Sequence, residues 1–283
     1  MFTYFPENYW WSLNVMSSIG MGGEISEIDE ICKSLQWAAG RDNDDYAREL
    51  WCESWSRMAA RLKRLASQDE KLGHRAGATR KCLRAANYQF IGEGMLRPQQ
   101  RGKLQAYEEA LELFAKGTSL SRHAVEHVEV PFEGTTLPAL FVPATGVDGP
   151  APCMVHFDGS DDLKEINYLR HRQGMAEQGV SMLIVDHPGS GGALRLRGLA
   201  AQPEIEVAAS ACVDYLADRA DVDDASIGIM AQSLGGYYAP RAAAFEQRFV
   251  VCVGVGRDLG LVPRAKKSGI HVRARGVCVA RRP

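Results

Sequence analysis

The chain has 283 residues, of which 46% are hydrophobic and 24% are charged, a balance typical of a soluble globular protein with one large or two modest domains. Its formal net charge of -2 and isoelectric point near 6.4 provide no electrostatic reason to bind nucleic acid or an anionic membrane. The N-terminus lacks a basic segment followed by an apolar one, and no run of about 18 apolar residues occurs. We therefore expect a cytoplasmic protein. Seven cysteines without a C-x-x-C pair favour buried free thiols over a disulfide framework.

The first part of the chain has the apolar spacing of amphipathic helices. One helix is predicted near residues 25–35 and a second near 46–65, with two more over 76–90 and 103–115. Gly92, Gly94 and Pro98 are interpreted as breakers between the last two. All five tryptophans lie in this part, where we expect them to fill a helical core, although lining a substrate pocket is an alternative. The pattern predicts a helical domain over residues 1–122.

After residue 123 the pattern changes to that of short strands. Residues 127–132 and 137–143 are typical of a hairpin. Four further apolar runs indicate buried strands, with helical segments between them; the runs are 153–157, 181–185, 227–230 and 249–253. Such alternation predicts a parallel sheet covered by helices on both faces. We assign this α/β domain to residues 123–256.

One serine stands where the third of these runs meets a helix. Ser233 lies in the string Ala-Gln-Ser-Leu-Gly-Gly, with the small residues Ala231 and Gly235 two positions to either side. A serine held in a sharp strand-to-helix turn needs small residues there, and its hydroxyl is lifted above the sheet. The motif therefore predicts a nucleophile elbow; a Ser-Gly turn that only caps a helix is the alternative.

The loops at the carboxyl ends of parallel strands face one crevice, so the turn at Ser233 should meet the loops that follow residues 157 and 185. A serine nucleophile also needs backbone N–H donors aimed at the oxyanion that develops on its substrate. We expect one donor from Leu234 and another from Gly159 or Ser160. An ordinary turn is the alternative for the segment that contains Gly159 and Ser160.

The chain resembles the α/β-hydrolases related to 2,6-dihydroxypseudooxynicotine hydrolase and to the fungal polyketide-shortening hydrolases. The matching stretches begin at Phe157-Asp158-Gly159, Lys164-Glu165, Asp186-His187-Pro188-Gly189 and Ser233-Leu234-Gly235-Gly236. The resemblance covers roughly residues 5–253 and implies a helical lid packed over the sheet. It also implies hydrolysis of a carbon–carbon bond beside a ketone, or of an ester. Ala231 replaces the usual first glycine of the elbow, and Gly192 stands where a larger, often acidic residue is expected.

The acid and the base of a catalytic triad are not evident in the sequence. In hydrolases of this fold they follow the serine, and the resemblance places them many tens of residues further on. Downstream of Ser233 the weak candidates are Asp258 and His271, and upstream His187 follows a predicted strand. For His187, a structural loop histidine is the favoured interpretation.

The segment after residue 253 has an unusual composition. Residues 251–283 contain eight Lys or Arg residues and one acidic residue, with no large aromatic side chain. A basic interaction tail over residues 257–283 is one explanation. We favour a second explanation, a change of reading frame near residue 255, which sequencing of the DNA would test. In that case the sheet would be truncated at its C-terminal edge, leaving unpaired backbone groups.

Together these features predict an α/β-hydrolase fold, with a parallel-type sheet truncated at its C-terminal edge and an N-terminal helical lid domain. The expected function is a serine-nucleophile hydrolase acting on a ketone carbon–carbon bond or an ester of a small organic substrate, impaired because the acid and histidine are not evident. No cofactor or metal is implied. We expect no nucleic-acid or membrane partner and regard a homodimer as compatible with the sequence. A non-catalytic ligand-binding protein or scaffold with the same fold is the alternative.

Overall fold

The computed structural model describes residues 3–41, 44–157, 159, 162–171, 174–255 and 277–281. The chain divides into two units, Met1–Ala124 and Val125–Pro283. The first unit is helical throughout its described part. Its elements are α1 (Tyr9–Gly20), α2 (Ile25–Lys33), a 3-10 helix (Gln36–Arg41), α3 (Asp45–Lys71), α4 (Arg75–Gly94) and α5 (Lys103–Leu120).

Helix α1 was not predicted, because the apolar spacing typical of helices begins only near residue 25. Its start is determined by Asn8, whose side chain accepts a hydrogen bond from the N–H of Trp11 at 2.9 Å. Asn8 also donates to the carbonyl of Ala39 at 2.7 Å, so the cap is held in place by a residue far along the chain. Trp11 and Val15, four residues apart, are buried on one face of the helix.

Three tryptophans form the aromatic centre of this unit. Trp11, Trp51 and Trp55 are fully buried, with ring centroids 4.7 Å apart for the first pair and 5.3 Å for the second. Trp10 and Trp37, in contrast, are 54% and 60% exposed. The expectation of core tryptophans is therefore confirmed for three of the five and wrong for two.

The prediction that Gly92 breaks a helix is also wrong. Gly92 lies inside α4, and a Cβ placed there would be 3.1 Å from the Cβ of Trp55 and 3.2 Å from the carbonyl oxygen of Cys52. The absence of a side chain lets α4 approach α3 closely. Gly94 is the last residue of α4, so the helix continues through both glycines.

The second unit contains a seven-stranded sheet in the order β1-β2-β4-β3-β5-β6-β7. Its strands are β1 (Glu126–Phe132), β2 (Thr135–Val142), β3 (Ala151–Phe157), β4 (Ser181–Val185), β5 (Val222–Gln232), β6 (Val251–Val255) and β7 (Val277–Arg281). The four central strands, β4, β3, β5 and β6, pair in parallel, whereas β1, β2 and β7 are joined by antiparallel pairing. The sheet is therefore mixed, with the predicted parallel arrangement at its centre.

The C-terminal edge of the sheet carries one strand beyond β6, formed by part of the predicted basic tail. Strand β7 pairs antiparallel with β6, from Val251 opposite Arg281 to Val255 opposite Val277. This pairing satisfies backbone groups of β6 that would otherwise be unpaired at the edge. The remainder of the predicted basic tail, residues 257–276 and 282–283, lies outside the described residues.

Helical segments alternate with the strands, as the sequence pattern predicted, and four of the helices contact the sheet. The segments are α6 (Lys164–His171), a 3-10 turn (Ala176–Gln178), α7 (Gly191–Arg195), α8 (Ile205–Ala217) and α9 (Gly235–Phe245). Helices α8 and α9 and one face of the strands bury the main core, which includes Val155, Phe157 and Ile229. Six cysteines are buried and free, as expected, and the side chain of Cys278 lies outside the described residues. Among the described residues, no helix is long and apolar enough to cross a membrane.

Candidate active site

Ser233 occupies a sharp turn between β5 and α9. Its φ is +59°, in the left-handed region that is unfavourable for residues other than glycine. The turn is followed at once by helix, since the N–H of Gly236 donates to the carbonyl of Ser233 at 3.0 Å. Ser233 is exposed, whereas Ala231 and Gly235 on either side are buried. The backbone thus turns sharply from strand to helix at Ser233, and the small neighbours allow the strand and helix to approach.

Gly159, in the loop after β3, packs directly on this serine. A Cβ built on Gly159 would lie 3.0 Å from the Cβ of Ser233 and 3.3 Å from its Oγ. A side chain at this position would be in tight contact with the serine, so glycine allows the close approach of residue 159 to Ser233. Ser160, the other predicted donor in this loop, lies outside the described residues.

Leu234 directly follows Ser233 and is the N-cap residue of α9. It has helical φ and ψ of -58° and -29°. The N–H groups in the first turn of a helix have no intrahelical acceptor and carry partial positive charge. The structure thus brings together three of the predicted residues: Ser233, Gly159 and Leu234.

His187 is the second residue after β4, and it is 2% exposed. Its Nδ1 lies 2.9 Å from the carbonyl oxygen of Pro188. Its ring packs 5.4 Å from Phe157 and, edge-on, 5.1 Å from Tyr238 of α9. The histidine therefore lies beside the helix that starts at the elbow, with one ring nitrogen directed at a backbone carbonyl.

The partners needed for proton transfer are not placed at the serine by the described part of the chain. No described residue hydrogen-bonds to the hydroxyl of Ser233. Asp258 and His271, the two downstream candidates, lie outside the described residues. His156, on β3, is fully buried, and burial together with the nearby His171 and Arg170 lowers its pKa to about 3. It is therefore neutral at ordinary pH.

A buried charge cluster next to the crevice was not identified as functional from the sequence. The Nζ of Lys164 lies 2.6 Å from Glu165 and 2.9 Å from Asp186. Burial alone would lower the pKa of Lys164, but the two carboxylates outweigh it and raise that pKa. Burial raises the pKa of Glu165, and the charge of Asp186 adds to this effect against the opposing effect of Lys164. Asp186 directly follows four apolar residues, Met182 to Val185 at the end of β4, and an acidic residue in that place was the available signal.

A second polar contact ties the loop after β3 to the elbow. Asp162 Oδ2 accepts hydrogen bonds from Arg170 at 2.8 Å and from the side chain of Gln232 at 3.4 Å. Gln232 is the residue immediately before Ser233. Among the described residues, no group of three His, Cys, Asp or Glu side chains could hold a metal ion.

Comparison with known proteins gives a family assignment. The profile of the family described as "Esterase FrsA-like" matches residues 40–262, more than half of the chain. Hydrolase ORFZ of Pyricularia oryzae is 31% identical over 250 residues, which cover 83% of this chain and 57% of the relative. Alpha/beta hydrolase ucsC of an Acremonium species is 30% identical, covering 90% of this chain and 56% of the relative. The chain thus spans just over half the length of these relatives.

Among solved structures, 2,6-dihydroxy-pseudo-oxynicotine hydrolase matches with a TM-score of 0.70 at 23% identity, covering 89% of this chain and 69% of the other. At this identity the match establishes the fold only. The chain therefore belongs to the FrsA-like esterase family and has an α/β-hydrolase fold.

Proposed function

We propose that this chain is a serine-nucleophile hydrolase that acts on a carbonyl carbon of a small organic substrate, either an ester or a ketone whose adjacent carbon–carbon bond is cleaved. The single observation that carries the proposal is the backbone strain at Ser233. A non-glycine residue at φ +59° between strand and helix, with its side chain exposed, is costly unless the conformation serves the chemistry. The names of the relatives, hydrolase and esterase, support the same reaction class.

In the proposed reaction, Ser233 Oγ attacks the substrate carbonyl and loses its proton to a base. The resulting tetrahedral oxyanion accepts hydrogen bonds from backbone N–H groups, for which Leu234, Gly159 and Ser160 are the candidates. Collapse breaks the bond to the leaving group, which takes the proton from the base. An alcohol leaves from an ester, and a protonated carbon leaves from a ketone. Water then hydrolyses the acyl-enzyme and regenerates the serine.

We further propose that turnover by this chain is weak. A serine hydroxyl is a poor nucleophile without a base, and no described residue hydrogen-bonds to that of Ser233. His187, Asp258 and His271 remain the candidates for the acid and base. Loss of triad members in serine hydrolases lowers turnover by several orders of magnitude and leaves only the contribution of substrate binding and the oxyanion donors. The same observation favours the alternative, a ligand-binding protein that retains the fold without catalysis.

Labelling with a fluorophosphonate probe distinguishes a serine hydrolase from a ligand-binding protein without catalysis. If Ser233 is activated, the probe labels the chain, peptide mapping locates the adduct on Ser233, and the Ser233→Ala variant is not labelled. Ser226, a partly exposed serine on the same strand, is the matched control, and Ser226→Ala should be labelled like the wild type. Absence of labelling in the folded wild type would refute the hydrolase proposal and support the non-catalytic alternative. Release of nitrophenol from short-chain nitrophenyl esters, compared with cleavage of an aryl diketone, would then distinguish the two bond types.

A further inference from the structure

Asp186 connects three elements of the second unit through one buried carboxylate. It directly follows β4 and is 1% exposed. Its Oδ1 accepts the backbone N–H of Lys164 at 2.8 Å, and its Oδ2 accepts the backbone N–H of Gly192 at 2.8 Å. Lys164 is the first residue of α6 and Gly192 the second residue of α7. The carboxylate therefore links the end of β4 to the starts of two helices, where negative charge is favourable.

These two helix starts are also the ends of the two loops that border the elbow. Gly159 lies in the connection that leads to α6, and a Cβ built on it would be 3.0 Å from the Cβ of Ser233. The loop from residue 187 to 190 leads to α7 and carries His187, whose ring contacts Tyr238 on the helix that begins at the elbow. Fixing the starts of α6 and α7 therefore limits where Gly159 and His187 can lie.

The surroundings of Asp186 are shaped to hold the carboxylate in this position. A Cβ on Gly191 would lie 2.0 Å from the Cγ of Asp186, and Gly191 has a φ of +42°, so both space and backbone require glycine there. The Nζ of Lys164 lies 2.9 Å from Oδ2 and supplies the counter-charge. A buried carboxylate is tolerated only when it is paired and hydrogen-bonded in this way.

We propose that Asp186 is a positioning residue that holds Gly159 and His187 in the arrangement needed for chemistry at Ser233. This inference rests on the function proposed above, because it concerns the same site. Asp186 does not touch the reacting atoms; it acts through the backbone of the two loops. Asp162 gives the loop after β3 a second attachment, through Gln232, beside the elbow.

The test compares Asp186→Asn with the matched control Glu246→Gln. An asparagine retains one acceptor oxygen and turns an NH2 group towards the second backbone N–H and the lysine. Glu246 is also a buried carboxylate, paired with Arg248 at 2.7 Å, but it lies at the far end of α9 from the elbow. The rate of fluorophosphonate labelling is measured as a function of probe concentration. This separates the maximal inactivation rate from probe affinity, while thermal melting monitors folding.

For Asp186→Asn we expect the maximal inactivation rate to fall about 100-fold, the effect of a misplacement of about 1 Å, with probe affinity changed less than about threefold. Hydrogen exchange in peptides covering residues 158–164 and 187–192 should accelerate. The control should show neither change. A folded Asp186→Asn that is labelled at the wild-type rate, or whose loops exchange as in the wild type, overturns the proposal.

Two further measurements decide the question if Asp186→Asn does not fold. Asp186→Glu retains the charge beside Lys164 but moves the carboxylate by one methylene. If Asp186 acts by positioning, this variant should show the same fall in labelling rate as is expected for Asp186→Asn. If only the charge matters, its labelling rate should equal that of the wild type. In the wild type, the amides of Lys164 and Gly192 should be among the slowest to exchange in their helices, and rapid exchange overturns the proposal. If Ser233 is not labelled in the wild type, the proposed function fails, while the exchange data still decide whether Asp186 holds the loops.

Discussion

Replacing Gly159 by alanine tests the contact between the loop after β3 and the elbow. The new Cβ would lie 3.0 Å from the Cβ of Ser233, 3.3 Å from its Oγ and 3.3 Å from the carbonyl oxygen of Gln232. Carbon atoms in contact normally lie about 3.5–4.0 Å apart, so the overlap is at least about 0.5 Å. Since all three contacted atoms belong to the elbow, either the loop or the serine must move.

The magnitude follows from that displacement. A misplacement of 1 Å near reacting groups costs about 100-fold in rate, so a shift of about 0.5 Å should slow the labelling of Ser233 about tenfold. Overpacking typically costs about 1–3 kcal/mol of the free energy of unfolding. For a unit of this size, that corresponds to a fall in melting temperature of about 2–12 °C.

The assay is fluorophosphonate labelling followed by mass spectrometry, with differential scanning calorimetry on the same samples. Gly174→Ala is the matched control, because Gly174 is exposed and its Cβ would meet only a backbone oxygen at 3.7 Å, an ordinary contact. We expect the control to retain the wild-type labelling rate and melting temperature. Wild-type labelling by Gly159→Ala, in a protein that labels at Ser233, would refute the conclusion that this loop lies against the hydroxyl.

Three further predictions concern stability. Glu165→Gln should become more stable relative to the wild type as the pH rises from about 4.5 towards 7, as measured by urea unfolding at each pH. The reason is that the pKa of Glu165 is raised in the folded state, so its contribution to the free energy of unfolding is present below about 4.5 and is lost as the folded carboxyl ionises. A pH-independent difference would contradict this. Gly92→Ala should lose about 1–3 kcal/mol of the free energy of unfolding, because α3 and α4 would be forced apart. Gly94→Ala, whose Cβ meets no atom within 4 Å, should lose none. Equal melting temperatures for the two variants would rule out the close packing at Gly92. Trp51→Ala should lose about 3–5 kcal/mol of the free energy of unfolding, because the fully buried ring packs between two other tryptophan rings. Urea unfolding checks this against Trp37→Ala, which removes an exposed ring and should stay within about 0.5 kcal/mol of the wild type.

Much of the second unit could be predicted because its signals are local. The apolar run at 181–185 has the bounds of β4, and the hairpin closes at Glu133-Gly134, where both residues have positive φ. The elbow was also predictable, since small residues around a serine at a strand-to-helix junction reflect a steric requirement within six residues. Each of these features depends on near neighbours in the chain.

Other features escaped prediction because their causes are distant in sequence. Helix α1 is capped by a side chain that is itself held by Ala39, and β7 is paired with a strand that lies well before it in the chain. The role of Gly92 depended on α3, about 40 residues earlier, so a glycine that looked like a helix breaker is a packing position. The grouping of Lys164 with Asp186 likewise needed the parallel pairing of β3 with β4.

The sequence alone determined the alternation of strands and helices, the position of the strained serine and the small residues around it, because these follow from periodicity and local sterics. The tertiary structure decided what surrounds Ser233. It placed Gly159 against the hydroxyl, and it brought Asp186 to the starts of two helices. The physical reason is that a buried carboxylate needs hydrogen-bond donors, and here the donors come from the first turns of two helices that are separate in the sequence.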